Sequence, residues 1–116
     1  FEDTGRTPSD YDAIITGDLG KVGHEIVTDL FLRDGVDMGP CFTDCGILLY
    51  SPKTQDVHSG GSGCGCSAGV FAGHILKCLR ERMWNRVLFA PTVIPVPSGI
   101  GEDGIKPEAL VPSVLV

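Results

Sequence analysis

Three glycines, Gly65, Gly69 and Gly73, recur at every fourth position of the segment CGCSAGVFAGHILKCL. In a helix, residues four apart lie one above the other, so these three form a single bare stripe. Each interior glycine costs a helix about 1 kcal/mol relative to alanine. A sequence keeps three of them only if close packing along the stripe offsets that loss. Cys64, Ser67, Ala68 and Ala72 keep the adjacent faces small, while Phe71, Ile75, Cys78 and Leu79 supply bulk. A helix that is apolar or small nearly all round belongs between layers. The spacing predicts a helix from about Gly65–Ser67 to Met83, buried between layers, with its leading end facing a cleft.

The flanking segments tell which fold surrounds it. In RTPSDYD, Thr7 reads as an N-cap, Pro8 as the first helical residue and Asp10 as the capping-box partner. Ala13, Ile14, Ile15 and Thr16 form a continuous rather than alternating run, which predicts a strand covered on both faces. Leu19, Val22, Ile26, Val27, Leu30 and Phe31 follow helical spacing, which predicts an outer helix with one apolar stripe and a stop at Gly35. CGILLYS (45–51) reads as a second buried strand and RVLFA (86–90) as a third, and PSGIGEDGIKP reads as loop. Strand, helix, strand, helix, strand is an α/β pattern: a mixed sheet, a buried central helix and an outer helix.

Composition excludes several classes. A net charge of −6 and a pI near 4.8 argue against a nucleic-acid surface, because the nine basic residues are scattered. The basic cluster KCLRERMWNR lies at a predicted helix end, where cations complement the helix dipole. No apolar run approaches the ~18 residues of a membrane span. The opening FEDTGRTPSD reads as the middle of a chain. Five cysteines, an odd number, fit reduced and mostly buried thiols of a cytosolic compartment rather than a disulfide framework.

The stretch HSGGSGCGCSAG invites two chemical readings besides the steric one. Gly63, Gly65 and Ala68 satisfy G-x-G-x-x-A, but a dinucleotide site needs a strand directly before it and an acid ending the next strand. Here twelve residues separate ILLY from Gly63, and RVLFA is followed by Pro91 and Thr92. For a metal, Cys41, Cys45, Cys64, Cys66 and His58 are the soft donors. Their spacing is not that of paired zinc knuckles, and a C-x-C opening a helix splays its side chains apart. Packing is the expected role of Cys64 and Cys66. No metal and no cofactor is expected. His24 is expected in solvent, His74 as a hydrogen-bonded core histidine, Asp18 as a cap of the first helix, and Trp84 as a packing anchor. Asp44 is expected to bind backbone.

Three separated segments, DYDAIITGDLGKVG, DCGILLYSPKTQDVHSGGSGCGCSA and GHILKCL, closely resemble in order the stage V sporulation AD family of the thiolase-like superfamily. The resemblance runs from about residue 7 to Thr92 and implies that residues 1–116 are the C-terminal portion of a thiolase-like domain. It implies a layered αβαβα sandwich whose paired central helices are in close contact. Beyond Thr92 the family pattern is lost, so residues 93–116 form a divergent tail. Condensing enzymes of the superfamily use a Cys nucleophile from the N-terminal half, with His and Asn from the C-terminal half. At the corresponding places this chain has Thr16, Gly17 and Asp18, and then Ser62, so the usual oxyanion and carbanion stabilisation is missing.

The resemblance therefore implies a ligand-binding protein without catalytic residues, which takes dipicolinic acid, alone or with calcium, at the spore inner membrane. It implies a cytoplasmic, membrane-peripheral location and contact with other stage V sporulation membrane proteins. An acyltransferase with its Cys in a preceding segment, and a scaffold with a vestigial pocket, are the rival expectations. A planar dicarboxylate suits an anion-friendly helix start. The candidate ligand residues are Asp18, His58, Ser59, Gly60, Gly61, Ser62 and Gly63. In the whole protein the glycine face is expected to contact the N-terminal half; without that half it is expected to lie open, and the chain to homodimerise, aggregate or stay partly molten.

Overall fold

The computed structural model describes residues 1–51, 53–91 and 114–115. The tail from residue 93, apart from 114–115, lies outside the described residues, as does the loop expected within it. In chain order the elements are β1 (Ala13–Thr16), α1 (Gly20–Arg33), β2 (Phe42–Asp44), α2 (Cys45–Leu48), α3 (Cys64–Val70), a π-helical turn (Phe71–Ile75), α4 (Leu76–Arg80), β3 (Val87–Ala90) and β4 (Val114–Leu115). The sheet runs β2-β1-β3-β4, with β1 parallel to both neighbours and β4 antiparallel to β3.

The continuous run in β1 is explained by what lies on each side. Ala13 and Ile15, with Val87 and Phe89 of β3, meet Cys66, Val70 and Ile75 on one face. Ile14, Phe42 and Leu88 meet Val27 and Phe31 of α1 on the other, with Tyr11 and Met38 closing that side. Helices thus cover both sheet faces, and the fold is α/β with a small, mainly parallel sheet. Each fully buried aliphatic contributes about 1.5–3 kcal/mol before chain entropy is counted. Two carboxylates fasten the margins. Asp10 Oδ2 accepts from the Thr7 amide at 2.7 Å, the predicted capping box. Asp12 Oδ2 accepts from the amides of Asn85 and Arg86, at 2.7 and 3.0 Å, and docks the start of β3. Those two bonds hold the Asp12 carboxyl below its usual range.

The structure corrects four expectations. First, the strand expected over 45–51 is β2 at 42–44 followed at once by the short helix α2. The turn is made by Asp44, whose side chain accepts from the Gly46 amide at 2.8 Å and caps α2. Second, α1 lies rotated from the expected stripe. Gly20, His24, Val27 and Phe31 form the row toward the sheet, while Leu19, Val22, Ile26 and Leu30 are exposed. His24 is accordingly half-buried rather than solvated: its ring stacks on Phe42 at 4.4 Å and Nε2 lies 3.3 Å from the Phe42 carbonyl.

Third, the helix from Cys64 to Arg80 is interrupted by the π turn. Val70 and Ile75 both face the sheet though five residues apart, the spacing that an i→i+5 turn allows. Regular helix would have turned His74 inward. Instead it is exposed, edge-on to Trp84 at 5.5 Å and 3.7 Å from Cys78 Sγ. Fourth, the sequence placed this helix between layers, but its glycine face is open. A Cβ built on Gly65, Gly69 or Gly73 would meet nothing within 4 Å. The open face matches the separate expectation for residues 1–116 taken alone, so what these residues do not show is the burial between layers. The bulky side of the helix packs as expected: Phe71 stacks on Phe89 at 5.0 Å, and Leu79 and Trp84 flank the same cluster. Gly35, at φ +81°, ends α1 as expected.

These orientations make a direct comparison. Ile15→Ala, at 0% exposure, should lower stability by about 2–5 kcal/mol. Ile26→Ala, at 55% exposure, should cost less than about 1 kcal/mol in urea denaturation. Equal losses would contradict the rotation of α1.

Candidate functional site

Parallel strands deliver their C-terminal ends to one edge of a sheet, and the loops that follow gather there. Thr16 and Asp44 are the last paired residues of β1 and β2. From Thr16 the chain turns through Gly17 and Asp18 into α1; from Asp44 it enters α2 directly. The stretch 57–63 then lies over both helix starts.

Asp44 joins these parts. Its side chain is fully buried. Oδ2 accepts from Thr16 Oγ1 at 2.7 Å and from the Leu19 amide at 3.1 Å. Oδ1 accepts from the Gly20 amide at 2.9 Å and the Gly46 amide at 2.8 Å. One carboxylate thereby satisfies four donors from β1, the start of α1 and the start of α2. A buried carboxylate is stable only with such a set.

The glycine stretch is seated on this platform by backbone bonds. The Ser59 carbonyl accepts from the Lys21 amide at 2.7 Å, and the Gly61 amide donates to the Gly46 carbonyl at 2.8 Å. A side chain at Gly20, which has φ +65°, would strike the Ser59 carbonyl, and one at Gly46 would strike the Gly61 carbonyl. These two glycines are required by close approach. The N-cap position of α1 falls on Leu19 rather than Asp18, and Asp18 Oδ2 accepts from the Gly63 amide at 2.8 Å, tying the loop after β1 to the start of α3.

The sequence-derived ligand residues therefore divide. His58, Ser59 and Ser62 are exposed. The Gly60, Gly61 and Gly63 amides are engaged with the Val57 carbonyl, the Gly46 carbonyl and Asp18. Asp18 is a neighbour of that loop through Gly63. Beside the loop opens a groove of about 500 Å³, lined by Lys21 of α1 and by Lys53, Asp56 and His58 of the preceding loop. The two lysines escaped the sequence reading because neither belongs to a motif. Asp44 had a signal in TDCG, an acid two residues before a glycine, the pattern of a side chain bonding the amide two residues on.

Cys45 and Cys66 lie beneath this edge, buried. Burial, then the charge of Asp44, then Cys66 and Asp18, push the Cys45 thiol from 9.0 up to about 12. Burial and the same two acids push Cys66 upward as well. Both thiols are packing groups, protonated at neutral pH, not activated nucleophiles. Among the described residues no three His, Cys, Asp or Glu side chains converge as a metal site. No helix among them is long and apolar enough to cross a membrane.

The unfolded chain releases the Cys45 proton near 9.0 and the folded chain near 12, so the stability it contributes is present below pH 9 and lost as pH rises toward 12. At pH 8, iodoacetamide should modify half-buried Cys41 well before Cys45 or Cys66, which should react only on unfolding. Native-state labelling of Cys45 or Cys66 at the rate of Cys41 would contradict the site as described.

Residues 1–96 match the sequence family Stage V sporulation protein AD (SpoVAD). The chain is 50% identical over 101 residues to stage V sporulation protein AD of Bacillus subtilis (strain 168). That alignment covers 81% of this chain and 30% of the relative, so the chain spans less than a third of the relative's length.

Proposed function

This chain belongs to the stage V sporulation protein AD family, and we propose that it forms part of a non-catalytic protein that binds dipicolinic acid, alone or with calcium, in a dipicolinate transport complex at the spore inner membrane. The observation that carries this reading is the glycine loop fastened over the ends of β1 and β2. Its amides at Gly60, Gly61 and Gly63 bond inward, and His58, Ser59 and Ser62 remain exposed on a braced backbone. A rigid loop with outward hydrogen-bonding side chains suits a small planar dicarboxylate, because little ordering entropy is lost on binding. Recognition then falls to side chains rather than to a cradle of amides, and Asp18 acts by holding Gly63.

The thiols of Cys45 and Cys66, both pushed up by burial, serve here as packing groups beneath the loop. The open Gly65/Gly69/Gly73 face is the surface on which a further helix layer of the longer thiolase-like protein, or a second copy, would pack. In this reading the protein is peripheral to the membrane and works with other stage V sporulation membrane proteins.

Calorimetric titration of the full-length protein with dipicolinate tests the reading. His58→Gln and Ser62→Ala should each weaken binding by about tenfold, the loss of one hydrogen bond to a charged ligand group. Unchanged affinity in both variants would remove this loop from the ligand site, and no binding by the wild type would remove the function.

A further inference from the structure

We propose that the groove between the first turn of α1 and the loop 53–58 is a binding site for a small anion carrying two or more charges, gripped from α1 by Lys21 and from the loop by Lys53 and His58. The site deepens the ligand reading above, on which it rests for one probe, dipicolinate; its location stands on observations of its own.

Charge is the first of these. The chain carries a net −6, yet this groove gathers Lys21, Lys53 and His58 against one acid, Asp56. Among the described residues neither lysine has an ion pair or a side-chain hydrogen bond. The nearby carboxylate of Asp44 already has four donors of its own and lies buried beneath the start of α1. Position is the second. Lys21 stands in the first turn of a fourteen-residue helix that has no acid there. A cation at that end adds to the positive end of the helix dipole, where a carboxylate would be favoured. A bound anion relieves this crowding.

Bracing of both walls is the third. The Lys21 amide bonds the Ser59 carbonyl at 2.7 Å. Across the groove, the Thr54 and Gln55 amides both bond the Ser51 carbonyl, and Gln55 Oε1 accepts from the Ser51 amide at 2.9 Å. That leaves the Gln55 amide nitrogen and the Thr54 hydroxyl as neutral donors of the loop. His58 is held at φ +48°, a left-handed conformation uncommon outside glycine, within the turn closed by the Gly60 amide and Val57 carbonyl. The groove, about 500 Å³, is shallow and open to solvent, with room for a small anion. Because the cations belong to two different elements, an anion with two charged ends satisfies both and a singly charged one does not.

The experiment is titration of the full-length protein with pyrophosphate and with dipicolinate, at low and at physiological salt. Lys21→Gln and Lys53→Gln should each weaken binding three- to fivefold, and the double variant by about tenfold or more, as expected for partly exposed ion pairs. Lys77→Gln, on the exposed side of α4, should change nothing. Added salt should weaken the wild type. Lysine-dependent binding of either probe supports the groove; if pyrophosphate binds so and dipicolinate does not bind, the functional reading falls and the groove stands. Dipicolinate binding untouched by the double variant, with no lysine-dependent pyrophosphate binding, overturns the groove and leaves the function. Binding of neither probe overturns both.

Discussion

The buried carboxylate of Asp44 is the interaction on which the rest of this edge depends. Two parallel strands end side by side, and each must pass its chain into a helix whose first amides have no partner within the helix. Asp44 supplies acceptors to both starts at once, through Leu19 and Gly20 of α1 and Gly46 of α2, and binds the Thr16 hydroxyl besides. Leaving those donors buried and unpaired would cost about 1–3 kcal/mol apiece. A single side chain therefore sets the entry of α1, its rotation on the sheet and the short turn of α2. The glycine loop then rests on Gly20 and Gly46, the two places where a side chain would obstruct it.

This arrangement separates what holds the loop from what the loop presents. Within residues 57–63 the Ser59 carbonyl and the Gly61 and Gly63 amides are bonded to Lys21, Gly46 and Asp18, and the Gly60 amide to Val57, so the loop is braced at four points. Side chains of His58, Ser59 and Ser62 are left outward. Below them, Cys45 and Cys66 are kept protonated by burial and by adjacent acids. At this edge two buried thiols are held in the protonated form, and the side chains that reach solvent are those of the glycine loop.

Much of this was legible before any coordinates. β1, α1, the long second helix and β3 follow from uninterrupted apolar runs and helical spacing, which are strong local signals. What failed depended on tertiary partners. CGILLYS has strand composition, but Asp44 bonding Gly46 converts its start to helix. The apolar residues of α1 fill two adjacent rows, and which row faces inward is decided by the grip on Leu19 and Gly20, far from the stripe itself. His74 was misplaced because a π turn shifts the helix by one residue, and no spacing rule announces it. The candidate ligand residues 58–63 do form one loop, as their composition suggests, but the way that loop is held is not legible in the sequence. Inward bonding of its amides, and two lysines brought alongside from separate segments, are products of the fold.

The most direct test of the central claim is native-state hydrogen exchange at the amides of Leu19, Gly20 and Gly46 in the full-length protein. If Asp44 organises this edge, all three exchange as slowly as the amides of the buried sheet, and all three are lost together in Asp44→Ala. Exchange at free-loop rates in the wild type, or unchanged protection in the variant, would contradict the account.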